Sequence, residues 1–280
     1  MKEQDDRRKE NDTAGGKTLR LTKMHGLGND YLYSFGEVED PAEVSIRLSD
    51  RHRGIGSDGL IMILPSDTAD FKMRIFNADG SEAKMCGNGI RCVGKYVYDK
   101  GHTDKTTLTV ETLSGIKTLK LNVKDGKVEA AQVDMGKAAV SPPVTLDVGA
   151  AAVTVTPVDV GNPHAVIFTD DADHAAVEQV GPAIERHQAF PGGVNAEFVT
   201  VKGKNELRMR VWERGSGVTM ACGTGACASA AAAVSAGLCE KDSDIAVRLD
   251  GGTLNIRVKD DGTVMMTGPA ATVCECEVLL

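Results

Sequence analysis

Lys72-Met-Arg-Ile-Phe-Asn77 is followed nine residues later by Cys86-Gly-Asn-Gly89, and Arg208-Met-Arg-Val-Trp-Glu213 is followed nine residues later by Cys222-Gly-Thr-Gly225. The two stretches lie 136 residues apart, and the correspondence extends outward from them. Gly101 matches Gly237, Lys124-Asp125-Gly126 matches the region Lys259 to Gly262, and Gly28-Asn29 has a counterpart in Gly161-Asn162. Solenoid repeats have periods of roughly 20–50 residues, so a period this long means two copies of one domain. Facing copies bring equivalent loops to a shared cleft, a favoured place for a ligand.

Each copy reads as a mixture of strands and one central helix. The stretches from Lys72 to Phe76 and Arg208 to Trp212 alternate and carry β-branched and aromatic residues, which predicts strands. After the first Cys-Gly-x-Gly, Ile90, Val93, Gly94 and Val97 fall at helical spacing, and Gly101 is a natural stop. After the second, Ala226 to Ala236 is almost entirely Ala and Ser, ending at Gly237. A helix without charge on any side is buried all round. Further strands are expected at Thr107–Glu111, Lys117–Val123, Ala246–Leu249, Thr253–Val258 and Thr263–Thr267. The fold class is therefore α+β, with two pseudo-symmetric domains, each a curved mixed β-sheet or barrel wrapped around a central helix. The expected division is a disordered tail at 1–17, a first domain at 18–131 plus 269–280, and a second at 132–268.

Composition narrows the partners. The chain has 280 residues, 41% hydrophobic and 26% charged, with a net charge of −8. That charge argues against a nucleic-acid backbone as partner. The longest charge-free stretch, Gly215 to Cys239, is rich in Gly, Ser, Thr and Ala and makes a poor bilayer span. The charged first 17 residues lack the apolar core of a secretory signal. The seven cysteines are odd in number and include no paired C-x-x-C, so neither a disulfide framework nor a zinc site is expected. Reduced thiols in a cytoplasm fit better.

Cys86 and Cys222 each stand at the mouth of a helix, where unpaired N–H groups and about half a positive charge favour thiolate. Glycines beside them let the backbone approach a ligand closely. The N–H groups of Gly87-Asn88 and Gly223-Thr224 then form two nests for a carboxylate. Epimerisation at an α-carbon needs a base on one face, an acid on the other, and donors for the developing negative charge. Two opposed thiols supply the two faces with no electron-sink cofactor. A single Cys-Gly-x-Gly would more often be a buried structural cysteine. The glycine pattern is not a nucleotide loop, since no P-loop lysine follows, and a hydrolase would need one nucleophile paired with histidine.

Seven segments occur in order over residues 20 to 280: Met24 to Tyr31, Gly54 to Leu60, Phe76 to Glu82, Cys86 to Cys92, Gly161 to His164, Val194-Asn195, and Glu213 through Ala226. In these motifs the chain resembles the diaminopimelate epimerase family. The resemblance implies interconversion of LL- and meso-2,6-diaminopimelate, a step toward lysine and peptidoglycan precursors, without pyridoxal phosphate and commonly as a homodimer. It implies Cys86 and Cys222 as the acid/base pair, with His164 and Glu213 in support. Gly87, Asn88, Gly223 and Thr224 would bind the reacting carboxylate, and Asn29 and Asn77 would bind substrate nearby. Asn162, Asn195 and Arg214 would hold the distal amino-acid end, with Glu213 on an amino group. Arg214 offers a fork suited to a carboxylate, although an adjacent Glu-Arg pair is often only surface charge.

Two other readings compete. A racemase of the same architecture acting on proline, hydroxyproline or histidine usually has a histidine after the first Cys-Gly and an aspartate leading the second motif, where this chain has Asn88 and Glu213-Arg214. A non-catalytic binding protein of this fold would have no need of both cysteines.

Overall fold

The computed structural model describes residues 18–149 and 152–279; the expected tail at 1–17 lies outside them. The first copy runs β1 (Thr18–Gly26), β2 (Asn29–Phe35), α1 (Pro41–Ser49), β3 (Gly59–Leu64), β4 (Phe71–Asn77), β5 (Glu82–Ala83), α2 (Gly87–Asp99), β6 (Thr107–Thr112), β7 (Gly115–Lys124) and β8 (Lys127–Lys137). Two short strands follow, β9 (Ala139–Val140) and β10 (Val144–Asp147). The second copy runs β11 (Ala152–Asp159), β12 (Pro163–Phe168), α3 (Val177–Glu185), β13 (Asn195–Gly203), β14 (Glu206–Glu213), β15 (Gly217–Val218), α4 (Gly223–Ser235), β16 (Asp244–Leu249), β17 (Gly252–Val258) and β18 (Thr263–Pro269), and is followed by β19 (Ala271–Leu279).

The duplication holds at the level of pairing. In the first copy β2 pairs parallel with β3 and β4 parallel with β6. In the second, β12 pairs parallel with β13 and β14 parallel with β16. Antiparallel pairing of β8 with β18 joins the two sheets, and β19 carries the chain end back to pair with β1.

The central helices are enclosed as their composition requires. In α4 every residue from Gly225 to Ala233 is buried, and small side chains let the surrounding strands close around it. Helix α2 packs chiefly on β8 and β1. One apolar cluster includes residues of both helices and so runs through both copies. The structure adds two helices beyond the expected pair, α1 and α3, starting 136 residues apart and each nine residues long. They cover the outer faces of the sheets. Strand β3 shows why: Ile61 and Ile63 point into the main core, while Leu60, Met62 and Leu64 alternate outward to pack with Val44 and Leu48 of α1. Val177 and Ile184 of α3 do the same over Ala165, Ile167 and Phe198. A strand buried on both faces reads as a continuous apolar run, which is what Gly59–Leu64 is. Among the described residues no helix is long and apolar enough to cross a membrane.

Candidate active site

The two central helices start against one another. Gly87 Cα lies 3.7 Å from where a Cβ on Gly223 would stand, and Met266 Sδ lies 3.1 Å from that same point. A side chain at either glycine would press on Met266, whose Cε lies 2.9 Å from where a Cβ on Gly87 would stand. Cys86 and Cys222 are the N-caps, both in extended conformation. Each sulfur takes the place of a capping oxygen: Gly89 N–H donates to Cys86 Sγ at 3.3 Å, and Gly225 N–H to Cys222 Sγ at 3.3 Å. The N–H groups of Gly87, Asn88, Gly223 and Thr224 belong to first turns, where no carbonyl four residues back lies inside the helix.

Asn88 ties the two loops together. Its Nδ2 donates to Ala221 O of the second copy at 3.1 Å and to Asn29 Oδ1 at 3.3 Å. The Cys86 thiol donates to the same Asn29 oxygen at 3.4 Å. Asn29 is anchored in turn by Asp58, whose Oδ2 accepts from Asn29 Nδ2 at 2.7 Å. Asp58 and Asp30 share Arg51, at 3.0 and 2.7 Å, so the hairpin that carries Asn29 is held rigidly from behind.

The other half of the site gathers on β12, β13 and β14. His164 is buried, with Nδ1 2.6 Å from Glu197 Oε1 and Nε2 3.1 Å from Asn162 Oδ1. Asn162 Nδ2 reaches Thr224 Oγ1 at 3.3 Å, and Thr224 Oγ1 lies 3.6 Å from Cys222 Sγ. Glu213 accepts from Thr219, and its carboxyl acts electrostatically on Cys222. Asn195 accepts from the backbone N–H of Arg214 at 2.9 Å and donates to Pro163 O at 3.3 Å.

The expected residues thus fall into three groups. Cys86, Gly87, Asn88, Asn29, Cys222, Gly223, Thr224, Asn162, His164 and Glu213 are linked by contact or hydrogen bond around the helix starts. Asn195 is buried beneath Arg214, whose exposed guanidinium lies at the rim, bonded to Gly192 O at 2.8 Å. Asn77 is turned to Ser81 Oγ at 3.0 Å, within its own β4–β5 turn. The Glu213 carboxylate acts on Cys222.

Burial outweighs the helix starts in setting the thiol acidities. The helix N-termini lead one to expect depressed values, but burial pushes Cys86 up, aided by Glu213 and opposed by the N–H groups of Gly89 and Asn88 and by the Arg91 guanidinium. Cys222 goes well above its ordinary value, from burial first and then from the Glu213 and Glu197 carboxylates. Burial also raises the Glu213 carboxyl, against the lowering effect of Thr219 and Cys222. The two sulfurs are therefore unequal: carboxylates crowd Cys222, and a guanidinium helps Cys86.

Glu197, Asp58 and Thr219 escaped sequence reasoning. Only Glu197 had a readable signal, as a lone charge inside the apolar run Val194-Asn-Ala-Glu-Phe-Val-Thr200. Asp58 lies inside the segment Gly54 to Leu60, but its action on Asn29, 29 residues away, has no signal in the sequence.

Residues 21–141 and 156–273 match the family described as diaminopimelate epimerase. The chain belongs to the diaminopimelate epimerase family. A diaminopimelate epimerase from Acetivibrio thermocellus is 52% identical over 277 residues, covering 93% of this chain and 98% of that one. One from Methanococcus maripaludis strain S2 is 49% identical, covering 93% and 99%. Solved structures show the same fold at low identity. A hydroxyproline epimerase from Agrobacterium vitis superposes with a TM-score of 0.70 at 18% identity, covering 94% of this chain and 93% of that one. A Bacillus anthracis phenazine biosynthesis protein of the PhzF family gives 0.73 at 17%, covering 94% and 100%. Diaminopimelate epimerase family membership thus rests on sequence over nearly the whole chain, with the two-copy α+β fold in agreement.

Proposed function

We propose that this protein interconverts LL- and meso-2,6-diaminopimelate by moving the α-proton between Cys86 and Cys222. The observation that carries the reading is the pair of cysteine-capped helix starts meeting at Gly87 and Gly223. One cysteine, as thiolate, takes the α-proton and becomes a thiol. The electron pair left on carbon delocalises into the carboxylate, where N–H groups of Gly87, Asn88, Gly223 and Thr224 stabilise it. Preorganised donors of this kind are worth most in a dry site. The other cysteine gives its proton to the opposite face and leaves as thiolate. The mechanism uses no cofactor.

The neighbours have distinct parts. Asn29 and Asn88 hold the Cys86 side. The Glu213 carboxylate raises the Cys222 thiol and keeps that sulfur protonated until the substrate needs its proton. His164 and Asn162 fix Thr224 beside Cys222. Arg214 at the rim, with the buried Asn195 beneath it, suits the distal zwitterionic end of a long diamino diacid. The reading carries with it the division into 18–131 plus 269–280 and 132–268. It also carries a cytoplasmic homodimer; β19, whose only strand partner among the described residues is β1, leaves an edge for a second copy. Sedimentation tests the dimer.

The test of the reaction is incubation of purified protein with LL-diaminopimelate in deuterium oxide without added cofactor. One solvent deuteron should appear at the α-carbon of each meso product. Product without deuterium would sink a proton-transfer route.

A further inference from the structure

Arg91, in the second turn of α2, is 0% exposed and among the largest fully buried side chains of the protein. All its hydrogen-bond partners are neutral. Nε donates to Pro269 O at 3.2 Å, Nη1 to Gly87 O at 2.9 Å and weakly to Met266 Sδ at 3.8 Å, and Nη2 to Asn88 Oδ1 at 3.0 Å. No carboxylate is paired with it among the described residues. The fold makes room for it from both copies. A Cβ on Gly26 of β1 would lie 2.8 Å from Nη2, and one on Gly268 of β18 would lie 3.1 Å from Nε.

A buried charge without an opposite charge is strongly unfavourable, and folds keep one only where something compensates. The groups around Arg91 that can become anions are Cys92, Cys86, Tyr33 and Cys227. Burial pushes Cys92 up to about 11 and Cys227 up to about 12. Tyr33 is raised well above its ordinary value by burial. Burial raises Cys86 as well, but Cys86 is the one of the four tied to the Arg91 side chain through side-chain hydrogen bonds, and it stands where the substrate carboxylate would land on the helix starts. Arg91 reaches both through one chain: Arg91 to Asn88, Asn88 to Asn29 and to Ala221 O, and Cys86 to Asn29.

We propose that Arg91 is the buried counter-cation and positioning residue of the site, holding Asn88 between the two cysteine loops and balancing the negative charge that passes between Cys86 and the substrate carboxylate. It touches neither sulfur nor substrate and acts through Gly87 and Asn88. The repeat places Cys227 at the equivalent position of the second copy. One guanidinium serves both helix starts because they meet, and a second at 227 would set two buried cations against each other. The proposal rests on the two-cysteine reading.

The test is the pH dependence of iodoacetamide alkylation at each cysteine, read by peptide mass spectrometry on the wild-type protein and on Arg91→Met and Arg91→Lys. Cys86 faces Tyr31, Tyr33, Cys92, Glu213 and Arg91, whereas Cys222 faces Glu213 and Glu197, with His164 behind them. In the wild type Cys86 should alkylate with the lower midpoint. Arg91→Met should raise that midpoint by about one pH unit or more, and should cut kcat about 10²-fold or more while changing KM little. Arg91→Lys, which keeps the charge, should hold the Cys86 midpoint near wild type. A folded Arg91→Met with an unmoved midpoint, or Arg91→Lys shifted as far as Arg91→Met, overturns the proposal. If Arg91→Met does not fold, the wild type decides: a Cys86 midpoint at or above that of Cys222 overturns it. Expected alkylation behaviour in a protein that exchanges no α-proton would instead defeat the two-cysteine reading and leave the electrostatic role of Arg91 intact.

Discussion

Replacing Gly225 by alanine sets a methyl group against the most crowded part of the site. The new Cβ would lie 2.8 Å from Glu197 Oε1, 3.2 Å from Glu197 Cγ and 3.2 Å from Cys222 Sγ. A carboxylate end would ordinarily swing aside. Glu197 cannot, because it is 0% exposed and its Oε1 sits 2.6 Å from His164 Nδ1. Relief must come from breaking that contact or from pushing Cys222 off its cap. Overpacking costs about 1–3 kcal/mol, and the better helix propensity of alanine returns about 1 kcal/mol. Net stability should therefore fall by no more than about 2 kcal/mol. Turnover should fall much further, because a misplacement of about 1 Å can cost about 10²-fold. Gly89→Ala is the matched control. Its Cβ would meet Ile61 Cδ1 at 2.6 Å, the free end of an aliphatic side chain, with Cys86 Sγ at 3.6 Å. That change should cost less than about tenfold in turnover, since an apolar side chain can repack. Urea unfolding and epimerase turnover measured on both variants give the comparison. Native turnover in Gly225→Ala, or greater loss in Gly89→Ala, would refute the reasoning.

Asn88→Ala removes the bonds to Asn29 and Ala221 and leaves Arg91 one acceptor short; a hydrogen bond to a charged group is worth about 1.5–3 kcal/mol, so the urea midpoint should drop accordingly and turnover with it. Glu213→Gln should change how stability depends on pH. Burial raises the Glu213 carboxyl above its ordinary 4.5, so the folded chain keeps a proton that the unfolded chain has released. Its contribution to stability is full below 4.5 and is lost as pH rises through the folded value. Urea unfolding over a pH series should show a shallower decline between 4.5 and the folded value in the variant than in the wild type, and equal slopes there would contradict the assignment.

The duplication was legible because it repeats chemistry as well as pattern. The strand–turn–Cys-Gly-x-Gly–helix order located both sulfurs at helix starts, and α2 and α4 begin at Gly87 and Gly223. The outer helices were not legible. Each is only nine residues long, and α3 carries Pro182 inside it, which reads as a break. Their partner surface, the second face of β3 and its equivalent, exists only once the sheet has formed. Thiol acidity was misjudged for a related reason. The helix start is a local feature visible in sequence, whereas desolvation of Cys86 and the carboxylates packed on Cys222 come from strands far along the chain. Glu213 and Glu197 reach Cys222 from β14 and β13. Asn77 donates to Ser81 in the adjacent turn, a local contact that its motif does not show.

The most direct measurement is α-proton exchange and epimerisation of diaminopimelate by Cys86→Ala and Cys222→Ala, each prepared with its folding checked by circular dichroism. With one sulfur per face, both folded single variants should lose net epimerisation. Near-native turnover by either would show that a single thiol suffices, and the opposed-cysteine account would be wrong.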